Sequence, residues 1–191
     1  MVELIYPASC AASIPPATSF SGAVEEILPV VDPAGMVKGR SLRSYVHGGS
    51  KVLHPVVHLH LINRYGEIFL QKRSMAKKLL PGRWDTAVGG HVSYGESIRE
   101  ALYREASEEL GAFEFNPIYM GNYVFESDIE CEFVSMFAAV GNFQLNPVNE
   151  EVDEGRWWSE KDILKAMGKN ILTPNFEGEY LRIGAALQAL L

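Results

Sequence analysis

The sequence predicts an α+β fold, a mixed β-sheet sandwiched between helices (α/β/α), with an N-terminal β-hairpin extension. Three observations favour this fold. Short apolar runs end at Gly, Pro and Asn turn signals, the hydrophobic period becomes helical after about Ser93, and β-type runs then resume before a last helix. Strands that alternate with helices in this way are typical of a sheet covered by helices.

The individual elements follow from the same patterns. Residues 25–31 and 36–46 form the predicted hairpin around the turn signal Asp32-Pro-Ala-Gly. The helix that follows Ser93 begins at the capping box Ser97-x-x-Glu100 and ends at Gly111. The other predicted strands are 56–62, 67–72, 82–88, 118–126, 131–140 and 155–158, and the other predicted helices are 159–167 and 176–190.

Length and composition predict one domain with a short arm before it. A chain of 191 residues that is 47% hydrophobic can build one sizeable core. Residues 1–22, which include Pro15-Pro16, are predicted to be a loosely ordered arm. Residues 23–191 are the predicted domain, divided into the hairpin extension 23–50 and a core 51–191.

Charge and hydropathy exclude several classes of partner. The net charge of -7 argues against a nucleic acid polymer or an acidic membrane surface as partner. No run of eighteen apolar residues predicts a membrane span. The two cysteines make neither a zinc pattern nor a disulfide framework, so we expect reduced thiols in a cytoplasmic protein.

The most informative stretch is the acidic part of the helix that follows Ser97. On a helical wheel Glu105 and Glu109 fall inside the apolar stripe, and Glu108 lies at its edge. Carboxylates at this spacing repel one another, and carboxylates near a buried face also lose hydration. Two interpretations stay open at this point: a solvated acidic face with Arg99 and Arg104 as partial partners, or a set of ligands for a hard divalent cation.

The spacing of this stretch resembles a known signature. The pattern Gly90-x5-Glu96-x7-Arg104-Glu105-x2-Glu108-Glu109-x-Gly111 is similar to the box of the Nudix (MutT-type) hydrolases. Every charged and glycine position of that box is present, and Ala106 and Ala112 stand where a larger aliphatic residue is usual. The resemblance extends over about residues 25–185. It implies the Nudix fold and hydrolysis of a small-molecule nucleoside diphosphate joined to another group, with Mg²⁺ (or Mn²⁺) as cofactor.

The resemblance also implies roles for particular residues. Glu105, Glu108, Glu109 and the carbonyl of Gly89 would hold the metal. Arg104 would pair with Glu96 or Glu105 and fix the carboxylates in place. The proton of the attacking water would go to Glu105, to Glu108, or to Glu151 in a distant loop, and that loop also has a simpler interpretation as a solvated acidic segment.

Other candidate residues have two interpretations each. Arg73, Gly90 and His91 are the candidate phosphate contacts, and Arg73 could equally be solvated. His58 and His60 alternate along a strand, so both rings lie on one face. Without a third ligand nearby, such a pair favours a structural role over metal binding.

The region upstream of the box is similar to the isopentenyl-diphosphate isomerase branch of the Nudix fold. Those isomerases use a cysteine in a run that matches residues 85–91, and this run contains none. They also tend to have a degraded box, whereas this box is intact, so hydrolysis is favoured. A sugar-nucleotide-binding Nudix domain without catalysis is a further alternative, which the complete set of glutamates argues against. By analogy with relatives, we expect the hairpin extension either to build a homodimer interface or to cover the substrate.

Overall fold

The computed structural model describes residues 25–147 and 150–191. The predicted arm, residues 1–22, lies outside the described residues. The chain divides into two compact units, one with residues up to Val57 together with 90–101 and 121–135, and the other with 58–89, 102–120 and 136–191. The single domain over residues 23–191 stays a prediction.

Strands and helices follow the predicted order closely. The strands are β1 (Ile27–Val31), β2 (Val37–Leu42), β3 (Leu53–Ile62), β4 (Ile68–Arg73), β5 (Trp84–Asp85), β6 (Val88–His91), β7 (Ile118–Glu126), β8 (Cys131–Val140) and β9 (Val152–Trp158). The helices are α1 (Arg43–Tyr45), α2 (Ile98–Leu110), α3 (Glu160–Ala166) and α4 (Pro174–Gln188), and a π-helical turn spans Val46–Ser50.

The strands form two sheets. β1 and β2 pair in a two-stranded antiparallel sheet, and the other strands form a seven-stranded sheet in the order β5-β4-β3-β8-β7, with β6 also paired to β3 and β9 to β4. All ten residues of β3 are buried, as expected for a central strand that consists largely of Leu, Val and Ile. The predicted mixed sheet with helices and the N-terminal hairpin are confirmed.

Local hydrogen bonds explain where several elements begin. In the hairpin turn, Oδ1 of Asp32 accepts hydrogen bonds from the backbone N–H groups of Ala34 and Met36. The predicted capping box of α2 is present, because Ser97 and Glu100 each accept a hydrogen bond from the other's backbone N–H. A cap of this kind stabilises a helix by about 1 kcal/mol. Gly111 has a positive φ of 64° and ends the helix.

The second strand of the hairpin is shorter than predicted. It ends at Leu42, because the carboxylates of Glu25 and Glu26, which precede β1, bind the next residues and hold them in a turn. Glu26 accepts a hydrogen bond from the Arg43 guanidinium at 2.6 Å, and Glu25 accepts one from the backbone N–H of Ser44 at 2.6 Å. The turn continues through residues 46–50 and places His47 within it.

The strand predicted over residues 82–88 is wrong in its bounds and divides into β5 and β6. The break falls at Thr86, whose hydroxyl donates to the carbonyl of Leu59 at 3.0 Å and whose N–H donates to the Asp85 carboxylate at 2.9 Å. The two short strands therefore pair with different neighbours, β5 with β4 and β6 with β3. Cys131 is fully buried and disulfide-bonded, so the expected reduced thiol is wrong for this residue.

Candidate active site

Helix α2 presents Glu105, Glu108 and Glu109 at three different depths. Glu109 is buried with 6% of its surface exposed, whereas the side chains of Glu105 and Glu108 are 14% and 59% exposed. This gradient is the one that the helical wheel predicts. The inner two carboxylates therefore stand on the packed side of the helix, and the third stands at its edge.

Glu109 is held by groups from two strands. Its Oε2 atom accepts a hydrogen bond from Nε2 of Gln71 on β4 at 2.8 Å and one from the backbone N–H of Gly89 on β6 at 3.3 Å. Burial, together with the nearby charge of Glu105, raises the pKa of Glu109 to about 8, although the two hydrogen bonds oppose the shift. A negative charge on the Glu109 carboxyl would therefore be only partly compensated by its two hydrogen-bond donors.

Arg104 compensates part of the remaining charge. One guanidinium nitrogen donates to Glu105 at 2.8 Å and to Glu108 at 3.2 Å. Burial nevertheless raises the pKa of Glu105, and the charges of Glu108 and Glu151 add to this effect. The predicted pairing of Arg104 with Glu105 is thus present, and Arg104 also contacts the outer carboxylate.

Glu151 and Arg73 are placed by neighbouring backbone. The carbonyl of Glu151 accepts a hydrogen bond from the N–H of Ser74, and its carboxylate pairs with Lys77 at 2.5 Å. Its charge is near enough to raise the pKa of both Glu105 and Glu109. Arg73 ends β4 and donates to the carbonyl of Leu79 and to the Asp85 carboxylate. The solvated interpretation of Arg73 is therefore incomplete, since its side chain is anchored.

The cluster fits a hard divalent cation. The pKa values of Glu105 and Glu109 are both raised, so their surroundings disfavour the ionised form. Oε1 of the buried Gln71 has no hydrogen-bond partner among the described residues. A cation with oxygen ligands would stabilise the ionised carboxylates, and Gln71 offers a further oxygen close to Glu109. Sequence reasoning missed Gln71, because a glutamine on a strand carries no signal of its own.

The remaining predicted site residues lie in the other unit. Gly90, His91 and Glu96 belong to the segment 90–101. The carboxylate of Glu96 accepts a hydrogen bond from the N–H of Ser93 at 3.0 Å, so it stabilises the turn before α2. The ring of His91 lies 4.8 Å from that of His47 and 5.5 Å from that of His54, centroid to centroid.

This histidine cluster was not anticipated from the sequence. One nitrogen of each of His47, His54 and His91 lies within 4.8 Å of the others, so the three could hold a metal ion. Burial lowers the pKa of His54 to about 4, so its ring is neutral at neutral pH. The signal that could have found the cluster is that all five histidines of the chain lie between residues 47 and 91, although the spacing of these three matches no common motif.

The other two histidines, His58 and His60, form a hydrogen-bonded group with Glu179 of α4. Glu179 is fully buried and contacts Nδ1 of His58 at 2.6 Å and Nε2 of His60 at 2.8 Å. Nδ1 of His60 also lies 3.3 Å from the Thr86 hydroxyl. The predicted same-face histidine pair is confirmed, and its carboxylate partner, Glu179, was missed because it is 119 residues away from His60.

Comparison with known proteins identifies the family. The NUDIX domain model matches residues 52–176, which is more than half of the chain. The chain belongs to the Nudix family. An uncharacterised Nudix hydrolase of Yersinia pestis is 32% identical over 174 residues, which cover 84% of this Nudix chain and 93% of the relative.

The similarity to the isomerase branch is also confirmed. The isopentenyl-diphosphate Delta-isomerase of Salmonella arizonae is 31% identical over 149 residues, which cover 75% of this Nudix chain and 82% of the isomerase. The corresponding enzyme of Kocuria rhizophila is 28% identical over 148 residues, which cover 74% of this chain and 82% of that enzyme.

Solved structures share the fold. DR0079 from Deinococcus radiodurans superposes with a TM-score of 0.71 at 23% identity and covers 82% of this Nudix chain and 98% of its own. The MutT protein of Methanosarcina mazei gives a TM-score of 0.60 at 26% identity. The match covers 70% of this chain and 94% of the MutT protein. The Nudix domain of Shewanella oneidensis NrtR, complexed with ADP ribose, gives a TM-score of 0.56 at 16% identity. The match covers 72% of this chain and 88% of the NrtR domain.

Membrane insertion through a helix finds no support in the fold. None of the helices within residues 25–147 and 150–191 has the length and apolar character that a membrane span requires.

Proposed function

We propose that this Nudix protein is a divalent-metal-dependent hydrolase that cleaves the diphosphate linkage of a nucleoside diphosphate joined to another group. The observation that carries the proposal is the pair Glu105 and Glu109. Burial raises the pKa of both carboxyls, both belong to one helix, and the backbone of Gly89 lies beside Glu109. Carboxylates in such a position are stabilised when a cation and a substrate diphosphate complete the surface.

Glu105, Glu108 and Glu109, together with the carbonyl of Gly89, are the proposed ligands of Mg²⁺ or Mn²⁺. A bound cation would neutralise charge on the diphosphate and lower the pKa of the attacking water. Arg104 is a positioning residue, because its guanidinium bridges Glu105 and Glu108 and restricts their rotamers. Gln71 has the same effect on Glu109 from the strand side.

The attacking water must transfer a proton to a base. Glu105, Glu108 and Glu151 are the candidates, and the structure supports Glu151 by its electrostatic reach to Glu105 and Glu109. Lys77 pairs with the Glu151 carboxylate, and the backbone of Ser74 anchors the loop. A base held in this way would need little rearrangement to meet a water near the inner carboxylates.

Arg73, Gly90 and His91 are the proposed phosphate contacts, and Glu96 supports the turn that carries the loop into α2. Arg73 already contacts the Asp85 carboxylate. A phosphate would therefore meet a guanidinium whose orientation is fixed, which favours a bidentate contact. A small-molecule substrate, a cytoplasmic location and a homodimer built on the hairpin extension complete the proposal.

A panel of diphosphates tests the proposal directly. The full chain is assayed with ADP-ribose, NADH, diadenosine polyphosphates, nucleoside triphosphates and isopentenyl diphosphate, each with Mg²⁺, with Mn²⁺ and with chelator. ADP-ribose is included because the NrtR domain was crystallised with ADP ribose. We expect metal-dependent release of a phosphorylated product from one class. No hydrolysis of any member under any metal condition would contradict the proposal.

Isomerisation of isopentenyl diphosphate is the second candidate function. The 31% identity to the Salmonella arizonae isomerase favours it, whereas the absence of cysteine from residues 85–91 argues against it. The isopentenyl arm of the panel separates the two functions by its products. A shifted double bond with no phosphate release would establish the isomerase and exclude the hydrolase for that substrate.

A further inference from the structure

A cavity lies between the end of β9 and helix α3. Its volume is about 430 Å³, which is typical of cavities that hold small ligands. Two indole rings and four charged side chains line it: Trp84, Trp158, Arg156, Asp162, Lys165 and Lys169. All six residues belong to the same compact unit of the chain, so the cavity is formed within that unit.

The cavity lies on the face of the sheet that points away from the carboxylate cluster. In the β4–β9 ladder, Gln71 lies opposite Gly155 and Leu70 lies opposite Arg156. Paired residues project to the same face of a sheet, and the next residue along each strand projects to the other face. Gln71 reaches Glu109 of α2, so Arg156 projects from the opposite face. The cavity is therefore separate from the candidate active site.

The lining of the cavity is basic although the chain is acidic. Arg156, Lys165 and Lys169 contribute three positive charges. Asp162 contributes one negative charge, and its carboxylate accepts a hydrogen bond from the Ser159 hydroxyl at 2.7 Å. The lining thus carries a net charge of +2, from three positive charges and one negative, whereas the whole chain carries -7. A concave surface with this charge attracts anions.

Two tryptophans restrict the orientation of Arg156. The Cζ atom of its guanidinium lies 4.0 Å from the centroid of the Trp158 ring and 4.8 Å from that of Trp84. The two indole rings meet edge to face, with their centroids 5.2 Å apart. A guanidinium that stacks on an aromatic ring keeps its N–H donors at its edge, where they match two oxygens of one phosphate group.

Trp158 contains a hydrogen-bond donor that lacks an acceptor. The residue is 4% exposed, and within the described chain its buried Nε1 atom has no hydrogen-bond partner. An indole nitrogen only donates, and a buried donor without a partner destabilises a fold. Arg156, which lies over this ring, is exposed and can shift to admit an oxygen. Packing on the rings accounts for the guanidinium of Arg156 but leaves the indole N–H unexplained.

We propose that this cavity binds a phosphorylated small molecule of about mononucleotide size. Arg156, Lys165 and Lys169 hold the phosphate, and one of its oxygens accepts the hydrogen bond from Nε1 of Trp158. The volume exceeds what an inorganic phosphate ion fills, so it leaves room for an organic group. The site does not rest on the proposed hydrolase function, because it needs no metal ion and no bond is cleaved there.

Titration of the full chain with ADP in the presence of chelator tests the proposal. The chelator keeps divalent cations from the carboxylate cluster, so metal-dependent binding there is suppressed. The protein is labelled with ¹⁵N, and the indole N–H signal of Trp158 is assigned by its NOEs to the backbone of the same residue. We expect a saturable downfield shift of this signal, because a phosphate oxygen becomes the acceptor of its hydrogen bond.

Adenosine is the matched probe without phosphate. It should leave the indole signal of Trp158 in place at concentrations at which ADP shifts it. An unshifted signal with ADP, or the same shift with adenosine, would overturn the proposal.

Exposed cations supply the matched variants. Lys165→Gln and Arg156→Gln should each weaken ADP binding by about tenfold or more, because each loses a charged hydrogen-bond donor to the phosphate. Lys161 is also exposed and lies one turn earlier on α3, outside the lining of the cavity. Lys161→Gln should therefore bind ADP like the wild type. Wild-type affinity in both Lys165→Gln and Arg156→Gln would place ADP elsewhere and contradict the proposal.

Glu108→Gln separates this site from the candidate active site. The variant removes a proposed ligand of the catalytic metal, and Glu108 belongs to α2 on the other face of the sheet. Its affinity for ADP, measured from the indole signal of Trp158 with chelator present, should equal that of the wild type. Loss of ADP binding in this variant would assign the nucleotide to the carboxylate cluster and would refute the separate site.

Discussion

The carboxylate cluster of α2 and the histidine cluster around His54 hold charge and lone pairs in opposite ways. In the first, three carboxylates crowd together, and hydrogen bonds from Arg104 and Gln71 compensate them only in part. In the second, the buried ring of His54 is neutral at neutral pH, and the buried Nε2 atoms of His47 and His54 have no hydrogen-bond partner among the described residues. The first cluster therefore needs a counter-charge, and the second needs an acceptor for lone pairs. A hard divalent cation with oxygen ligands would supply the counter-charge in the first cluster.

Glu108→Gln should have the largest effect on activity, and it tests the carboxylate cluster alone. Loss of one charged ligand should lower kcat/KM with the substrate found in the panel by at least ~10²-fold, the scale of lost charge stabilisation at a reacting centre. The fold should not change, because the side chain is 59% exposed. Steady-state kinetics with a circular dichroism spectrum measures both effects.

The matched control is Glu114→Gln, an exposed glutamate that follows α2. It should keep wild-type kinetics. Near-normal turnover in Glu108→Gln would remove the assignment of the carboxylate cluster as the catalytic metal site.

Glu179→Gln tests a histidine group that already contains its own counter-charge. Burial alone would raise the pKa of Glu179, but the charges and hydrogen bonds of His58 and His60 outweigh burial and hold that pKa well below its usual range. The substitution removes the charge and one acceptor, so the free energy of unfolding at pH 7 should fall by roughly 2 kcal/mol. Urea denaturation measures this change.

The sign of its pH dependence follows from the lowered pKa. A carboxyl with a folded-state pKa below the unfolded value stabilises the fold fully above about pH 4.5, and this contribution is lost as the pH falls further. The difference between wild type and Glu179→Gln should therefore shrink below pH 4.5. A difference that grows towards low pH would contradict the ionised state of Glu179.

The two clusters also differ in how far the sequence predicts them. The glutamates of α2 lie within five consecutive residues, and the helical period alone brings them to one side, so a single helix assignment was enough. His54 and His91 come from different strands, and His47 comes from a turn that follows the predicted strand 36–46. A side chain in an irregular turn follows from tertiary hydrogen bonds such as Ser44 to Glu25, which no local pattern encodes.

Contacts between residues far apart in the chain could not be predicted from the sequence, for the same reason. The bounds of β7 and β8 agree with the prediction, because each is a continuous β-type run between turn signals. Glu179 and Gln71 gain their roles only when α4 and β4 pack against residues far away in the chain. Side-chain identity at one position cannot specify such a partner, since many positions offer the same hydrogen-bonding group.

Glu151→Gln should have a smaller effect on turnover than Glu108→Gln. A sole general base contributes 10²–10⁴-fold, but Glu105 or Glu108 can accept the proton in its place, so we expect a loss of about tenfold in kcat. The exposed neighbour Glu150→Gln is the control and should be silent. A wild-type pH–rate profile in Glu151→Gln would exclude this residue as the base and leave the role to α2.

Gly89→Ala should produce the smallest change and would locate the substrate most finely. A Cβ at this position would lie 3.4 Å from Nε2 of His58, an ordinary contact, and the residue is exposed, so unfolding should change by less than about 0.5 kcal/mol. The methyl group would nevertheless stand beside the N–H that contacts Glu109. If the diphosphate approaches the backbone there, KM should rise by up to about tenfold, equivalent to ~1.4 kcal/mol, while kcat changes less. Unchanged KM would place the substrate away from β6, and the carboxylate cluster would then have to bind it from the side of Glu108.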